Sequence, residues 1–553
     1  MHSFLTLSFY YWIITFSILG FGLLFNQIFL KSSEKNIGYL GIYGIFVLIL
    51  ISYVSSFFIP HSELFNSILI LIGLINLIVN RGEIVVNKNI KNLIIIFLIF
   101  NIFILVSKNH DDFSYYHFPY THLLTEYSNM IGLGNFNHGF RTHSSIFYLS
   151  SLFNLPFSDL YLLHLSPVYF IGFANLIFYN RIFLSLKSKE KSFILYLSLL
   201  SLIFINIFFY RLAEHGTDRS AMILIIVAVI EILYLINQKN NINKDYFLRL
   251  LILITLIISL KTFYILYVLL LFPVIFYVLD KKTLLLFLFK NKVLYLCLIL
   301  FFSLLTVNFF NTGCLLYPVK ILCFENFSWS IPLNEVEQMN NWYQQWAKAG
   351  ANPNYRVDNP ENYIKNFNWV NNWMDNYFFN KVSDFLFGLL FLTFFIFLVF
   401  YSKKIRKVKK SKFLIIYFIL IFLTFQWFYF LPTLRYGGYH LIALLFFIPF
   451  SLILEKFLVK PDLFKKKVYF LIVLTMIIFL GRNTFRLIDE YEIYNYNVFN
   501  NTYFRKDEKN FQIFKRIKNI NKCNIKKELS SCSDDNIKVK ILNGYYVYYK
   551  ESK

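Results

Sequence analysis

From residue 4 to residue 480 the chain repeats one pattern: a long run of Ile, Leu, Phe and Val, then a short polar stretch. Many of the runs are long enough to carry a helix of about 20 residues through a hydrocarbon core. The pattern predicts an all-α polytopic membrane protein. Lys403–Lys412, with seven basic residues in ten, anchors the topology, because Lys and Arg hold short loops in the cytoplasm. Counting outward from it gives about 14 transmembrane helices: about 5–30, 38–59, 65–80, Leu93–Val106, Leu160–Leu184, Ser192–Tyr210, Ser220–Ile236, Leu248–Leu260, Phe263–Leu279, Leu284–Phe310, Asp384–Tyr401, Phe413–Leu431, Tyr439–Leu454 and Val468–Leu480. Every basic cluster then falls inside and both termini fall outside. Ser144–Leu155 is too short to cross and is expected as an interfacial or re-entrant helix on the outer face. The regions that follow are N-terminal helices (1–91), a core with acidic outer loops (92–310), a large outer loop (311–383), C-terminal helices (384–482) and a tail (483–553).

Composition supports this. Of 553 residues, 57% are hydrophobic and only 15% charged, against about 25% charged in soluble domains. Mean hydropathy is +0.55. Disorder, a coiled coil and an ordinary cytosolic enzyme are excluded. The net charge of +23 is topogenic on this reading, so no nucleic-acid partner is expected. No cleavable signal is seen, since the first apolar run lacks a basic start and a small-residue cleavage site. The expected location is the inner (cytoplasmic) membrane, with membrane lipids as neighbours.

The ionisable residues gather on the outer side. All ten histidines fall outside or at the outer edge of a span. After Val106 comes HDDFSYYHFP, where Asp111 and Asp112 sit as hydrocarbon gives way to water. A carboxylate there is a candidate general base or, more plainly, a helix stop. Glu214 and Asp218 lie in RLAEHGTDR, as chemistry or as a turn paired with Arg211 and Arg219. Lys261 ends an outward span, where a lysine also snorkels. Arg435 and Tyr436 precede Gly437-Gly438, and Arg suits bidentate phosphate binding. Together these groups suit chemistry on an anionic, phosphate-bearing lipid.

The order of these elements resembles the GT-C superfamily of integral-membrane glycosyltransferases, over Lys108 to about Leu445. HDDFSYYHFP is similar to that superfamily's first acidic loop, and Arg141–Phe153 to its interfacial helix, with His143-Ser144-Ser145 where His-Pro-Pro is usual. EHGTD resembles the second acidic loop, Lys261-Thr262 a Thr-Lys pair in swapped order, and Arg435-Tyr436 a late Arg-Tyr. The resemblance implies transfer of a sugar from a polyprenyl-phosphate donor to a glycan or lipid acceptor on the periplasmic side. Asp111 or Asp112 would be the base, with Glu214, Asp218, Lys261, Arg435, Tyr436, His117 and His143 binding substrate. Some members use a divalent ion. Mg or Mn is therefore open here, with Asp111, Asp112, Glu214 and Asp218 as the ligands if one binds.

The 311–383 loop carries Trp342/Trp346 and Trp369/Trp373, each pair at i,i+4 and so on one helical face. They are expected to anchor at the membrane interface, with a sugar ring as the other use. Cys314/Cys323 and Cys523/Cys532 are each nine apart, and two disulfides are expected in the oxidising compartment. Ile537–Lys550 reads as two strands across an Asn-Gly turn, making the tail a small α+β piece. Two other functions stay in view. An O-antigen-polymerase-like enzyme would use Arg-rich outer loops. A transporter or flippase of lipid-linked glycans would place charges at the midplane and show internal repeats.

Overall fold

The computed structural model describes residues 3–30, 36–80, 90–188, 192–211, 217–237, 244–277, 281–352, 357, 359–408, 411–506, 509–526 and 536–550. The chain is mostly helical. Seven helices among the described residues are long and apolar enough to cross a membrane: Ser3–Leu30, Ile37–Ser56, Ser166–Lys187, Thr217–Asn237, Lys292–Thr312, Val370–Phe400 and Gly438–Lys456. Six shorter apolar helices, Glu63–Val79, Ile90–Ile104, Phe193–Phe208, Tyr246–Leu260, Thr262–Tyr277 and Leu414–Phe430, run beside them. Pro461–Tyr494 adds a 34-residue helix.

Polar residues fix where these helices begin. Asn36 caps Ile37–Ser56 by accepting from the Gly38 N–H, and Asn291 caps Lys292–Thr312 from the Val293 N–H. Gly313, at φ 79°, ends the latter in the left-handed conformation that glycine adopts freely. The first two helices meet backbone to backbone: a Cβ on Gly22 would lie 1.8 Å from the Leu40 carbonyl oxygen.

The helix ends sort into two polar faces. At one, Glu231 sits wholly buried between Arg181 and Arg249 and accepts from the Tyr39 hydroxyl at 2.6 Å. Arg406, in the loop after the Val370–Phe400 helix, reaches Glu455 near the end of Gly438–Lys456 at 4.0 Å. The other face collects the loops. Ser145–Ser151 is a seven-residue helix with every residue buried, held by Ser144 Oγ donating to the Leu260 carbonyl at 2.6 Å. It therefore packs inside the protein, as the re-entrant form of the expected segment would, because neighbouring helices cover its short apolar run.

The 311–382 segment folds over this face. Cys314 and Cys323 form the expected disulfide. Cys523 is also disulfide-bonded; the expected partner, Cys532, lies outside the described residues. The tail forms the predicted hairpin, β1 (Ile537–Leu542) against β2 (Tyr545–Lys550), and both turn residues, Asn543 at φ 48° and Gly544 at φ 85°, are left-handed. A two-stranded hairpin is marginal by itself. Here the Ile131 N–H donates to the Tyr546 carbonyl at 2.9 Å and the Ile131 carbonyl accepts from the Tyr548 N–H at 2.8 Å, which seats the hairpin on the first outer loop.

Candidate active site

Four separate elements bring charge to one point on the loop face. Asp112 opens the turn Phe113–His117, beyond the Ile90–Ile104 helix. Asp218 lies in the first turn of Thr217–Asn237, where the positive helix end favours a carboxylate. Lys261 ends the Lys244–Leu260 helix. Arg435 rides a single 3-10 turn, Leu434–Tyr436.

The Arg435 guanidinium joins them. Its Nη2 donates to Asp112 Oδ2 at 2.8 Å, and its Nε donates to Asp218 Oδ2 at 3.2 Å. Lys261 Nζ holds the other oxygen of Asp218 and stands 4.4 Å from the centre of the Tyr436 ring. Two carboxylates and two cations balance, so the cluster tolerates burial better than a lone charge would. Asp218 is its closed end, while Asp112 and Arg435 keep 27% and 32% of their side chains accessible. Burial works against the charge on Asp112. The guanidinium, with His117 and His110 behind it, outweighs this and holds Asp112 below the usual carboxylate range. His110 Nδ1 accepts from the Asp112 N–H at 3.1 Å, and burial pushes the pKa of that ring down.

Of the residues expected here, Asp112, Asp218, Lys261, Arg435 and Tyr436 converge. Asp111 does not. It is exposed, and its carboxylate stands outside the cluster because the next residue on a helical turn points elsewhere. Glu214 lies outside the described residues. His117 is buried one layer behind Asp112, lining a cavity of ≈ 20 Å³ with Thr121, Ser150 and Thr217, and burial lowers it to about 3. His143 is deeper still, against Tyr53 and Tyr148, and touches none of the four charges. Both rings are buried behind the charge cluster.

Sequence reasoning missed two contributors. His110 was passed over beside the two aspartates. Tyr264 is fully buried, its hydroxyl without a partner among the described residues, one turn beyond Lys261. The Trp pairs, which the sequence already marked, pack against the protein. Arg435 Cζ lies 5.8 Å from the Trp346 ring centre, and Trp342 meets His138 edge-on at 5.6 Å. Trp369 and Trp373 are buried against Phe428. The i,i+4 spacing was visible, but not which way that face would turn.

Among the described residues, which leave out Glu214, the donor set does not suit the divalent ion left open above. Arg435 and Lys261 already neutralise the two carboxylates, and among the described residues no three His, Cys, Asp or Glu side chains converge.

An apolar groove of ≈ 340 Å³ opens between the Val370–Phe400, Leu414–Phe430 and Gly438–Lys456 helices. Two of its walls hold the arginine loop: Trp373 Nε1 donates to the Pro432 carbonyl at 2.8 Å, and Trp427 Nε1 to the Thr433 carbonyl at 2.7 Å.

Fold and site define a helical protein of membrane type with an internally paired cation–carboxylate centre at one polar face. Residues 4–443 match DUF8201, a domain of unknown function, and the chain belongs to that family. The matched stretch contains all four charges of the cluster, and the tail lies beyond it. No curated protein and no solved structure matches the chain.

Proposed function

We propose that the chain is a membrane glycosyltransferase, moving a sugar from a polyprenyl-phosphate donor to a glycan or lipid acceptor on the periplasmic face of the inner membrane. The observation that carries this reading is the convergence of Asp112, Asp218, Lys261 and Arg435 from four elements onto one partly open centre. The adjoining apolar groove suits a lipid chain, and the resemblance in loop order supports the same class. On this reading fourteen helices cross the membrane, with the loop face and both termini outside.

The chemistry follows from the geometry. Asp112 takes the proton of an acceptor hydroxyl as its oxygen attacks the anomeric carbon. The carbon–oxygen bond to the lipid phosphate breaks with inversion, and Arg435 and Lys261 stabilise the departing phosphate. Asp218 keeps both cations in place. Phosphate drawing Arg435 away from Asp112 also frees the carboxylate and makes it a better base.

Glycan and lipid-linked-sugar profiles of a deletion strain test the reading. A plasmid copy of the wild type should restore the missing product, as should Asp111→Asn. Asp112→Asn should not, although the protein accumulates. Full restoration by Asp112→Asn removes the base from the mechanism.

A further inference from the structure

A second surface leads away from the charge cluster and begins at both its ends. Tyr115 lies three residues beyond Asp112 and is 44% exposed. Its hydroxyl pairs with His138 Nδ1 at 2.9 Å. His138 meets the edge of Trp342. One turn along the Leu333–Lys348 helix, Trp346 meets Tyr436 edge-on at 5.9 Å and stands beside Arg435. Tyr115, His138, Trp342 and Trp346 thus form a partly open aromatic shelf whose two ends are the base and the cation of the site.

The shelf is built rather than incidental. Arg141 is buried and pins the Leu333–Lys348 helix to the first outer loop. Its Nη2 donates to Glu335 Oε1 at 2.5 Å, its Nη1 to the Tyr317 hydroxyl at 3.1 Å and its Nε to the Gly134 carbonyl at 2.9 Å. Gly139 allows that loop to lie against Tyr116, since a Cβ there would be 2.5 Å from the ring. These contacts set Trp342 over His138.

We infer that this shelf binds the acceptor and that the acceptor is a carbohydrate, an inference that rests on the function proposed above. A pyranose ring presents an apolar C–H face and a rim of hydroxyls. The shelf offers flat aromatic faces with polar tips: a phenol, an imidazole, and two indole N–H groups that make no hydrogen bond among the described residues. A lipid chain is served by the other surface, the groove behind Trp373 and Trp427, which lacks such tips. A sugar lying on Trp342 and Trp346 brings a hydroxyl toward Asp112, the shelf's other end.

The full chain in nanodiscs is applied to an array of oligosaccharides built from hexoses, N-acetylhexosamines and deoxyhexoses. The wild type should retain a defined subset, and Trp342→Ala or Trp346→Ala should weaken retention at least tenfold. Asp112→Asn should bind like the wild type while failing in the strain test. Brominated lipids should leave the fluorescence of Trp342 unquenched, read as the difference between wild type and Trp342→Phe. No retention by the wild type, equal retention by the tryptophan variants, or quenching of Trp342 by brominated lipid each overturns the inference. Retention lost in the tryptophan variants, with Asp112→Asn still active in the strain, would sink the transfer mechanism and leave the shelf as a glycan-binding site.

Discussion

Arg435 places two nitrogens on two carboxylates that come from different helices, and a lysine side chain has no fork with which to do that. Arg435→Lys keeps the charge but holds one aspartate at most. Activity in the strain or in a purified assay should fall about 10²-fold, the scale of losing a positioned donor to developing charge. The melting temperature should move little, since Lys261 still holds Asp218. A variant with near-normal activity would show that the fork is dispensable. At this scale much of the site was legible: ionisable residues that close long apolar runs are costly unless used, and four of those marked are the four that meet. The choice between Asp111 and Asp112 was not legible. Neighbouring residues on a turn differ by about 100° in direction, and only the position of Arg435, 323 residues away, decides which one faces the centre. Glu231 was missed as well. Nothing near it in sequence announces the two arginines that the fold brings to it.

The elements around Arg435 link the site to the lipid-facing surface. The 431–437 segment has no regular structure beyond one 3-10 turn, and it is held by indole N–H groups from two helices and by the Tyr377 hydroxyl, which accepts from the Leu434 N–H at 2.9 Å. Gly438 matters for the same reason: a Cβ there would come within 2.6 Å of the Trp427 ring. Trp427→Phe keeps an aromatic wall but strips the Thr433 carbonyl of its donor. An unsatisfied buried carbonyl costs about 1–3 kcal/mol. The variant should therefore melt earlier in detergent and lose activity together, with the loss falling on kcat more than on acceptor KM. Unchanged melting and kcat would mean the loop is held elsewhere. Helices and hairpin were readable because apolar run length and the Asn-Gly turn are local signals. The choice between an interfacial and a re-entrant Ser145–Ser151, and the direction in which the Trp pairs face, were not, because both depend on which neighbours cover a surface.

Across the whole molecule, sidedness extends to the histidines. His61, His117, His122 and His143 lie in the loop face, and each is buried. Burial lowers His61 to about 4 and the other three to about 3. For His122 the lysines Lys518 and Lys506 of the tail push the same way, while Asp112 opposes the trend at His117. An unfolded histidine titrates near 6.5, so the folded state binds fewer protons than the unfolded one between that pH and the lowered values. The stability held by these neutral rings is complete above about pH 6.5 and is lost as pH falls toward 4 and 3. Asp112, held low by Arg435, keeps its contribution down to the ordinary carboxylate range at about 3.9 and loses it only below that, so it plays no part between pH 6.5 and 5. Each histidine contributes a slope of about 1.4 kcal/mol per pH unit, so even two of the four give about 3 kcal/mol between pH 6 and pH 5. The melting temperature in detergent should therefore be flat from pH 8 to 7 and fall steeply from 6.5 to 5. The fall should shrink in His122→Phe, a ring that already stacks on Phe514 at 3.9 Å and would keep that contact without a titrating group. A profile that stays flat to pH 5, or one that His122→Phe leaves unchanged, would mean that these rings pick up protons without opening the loop face.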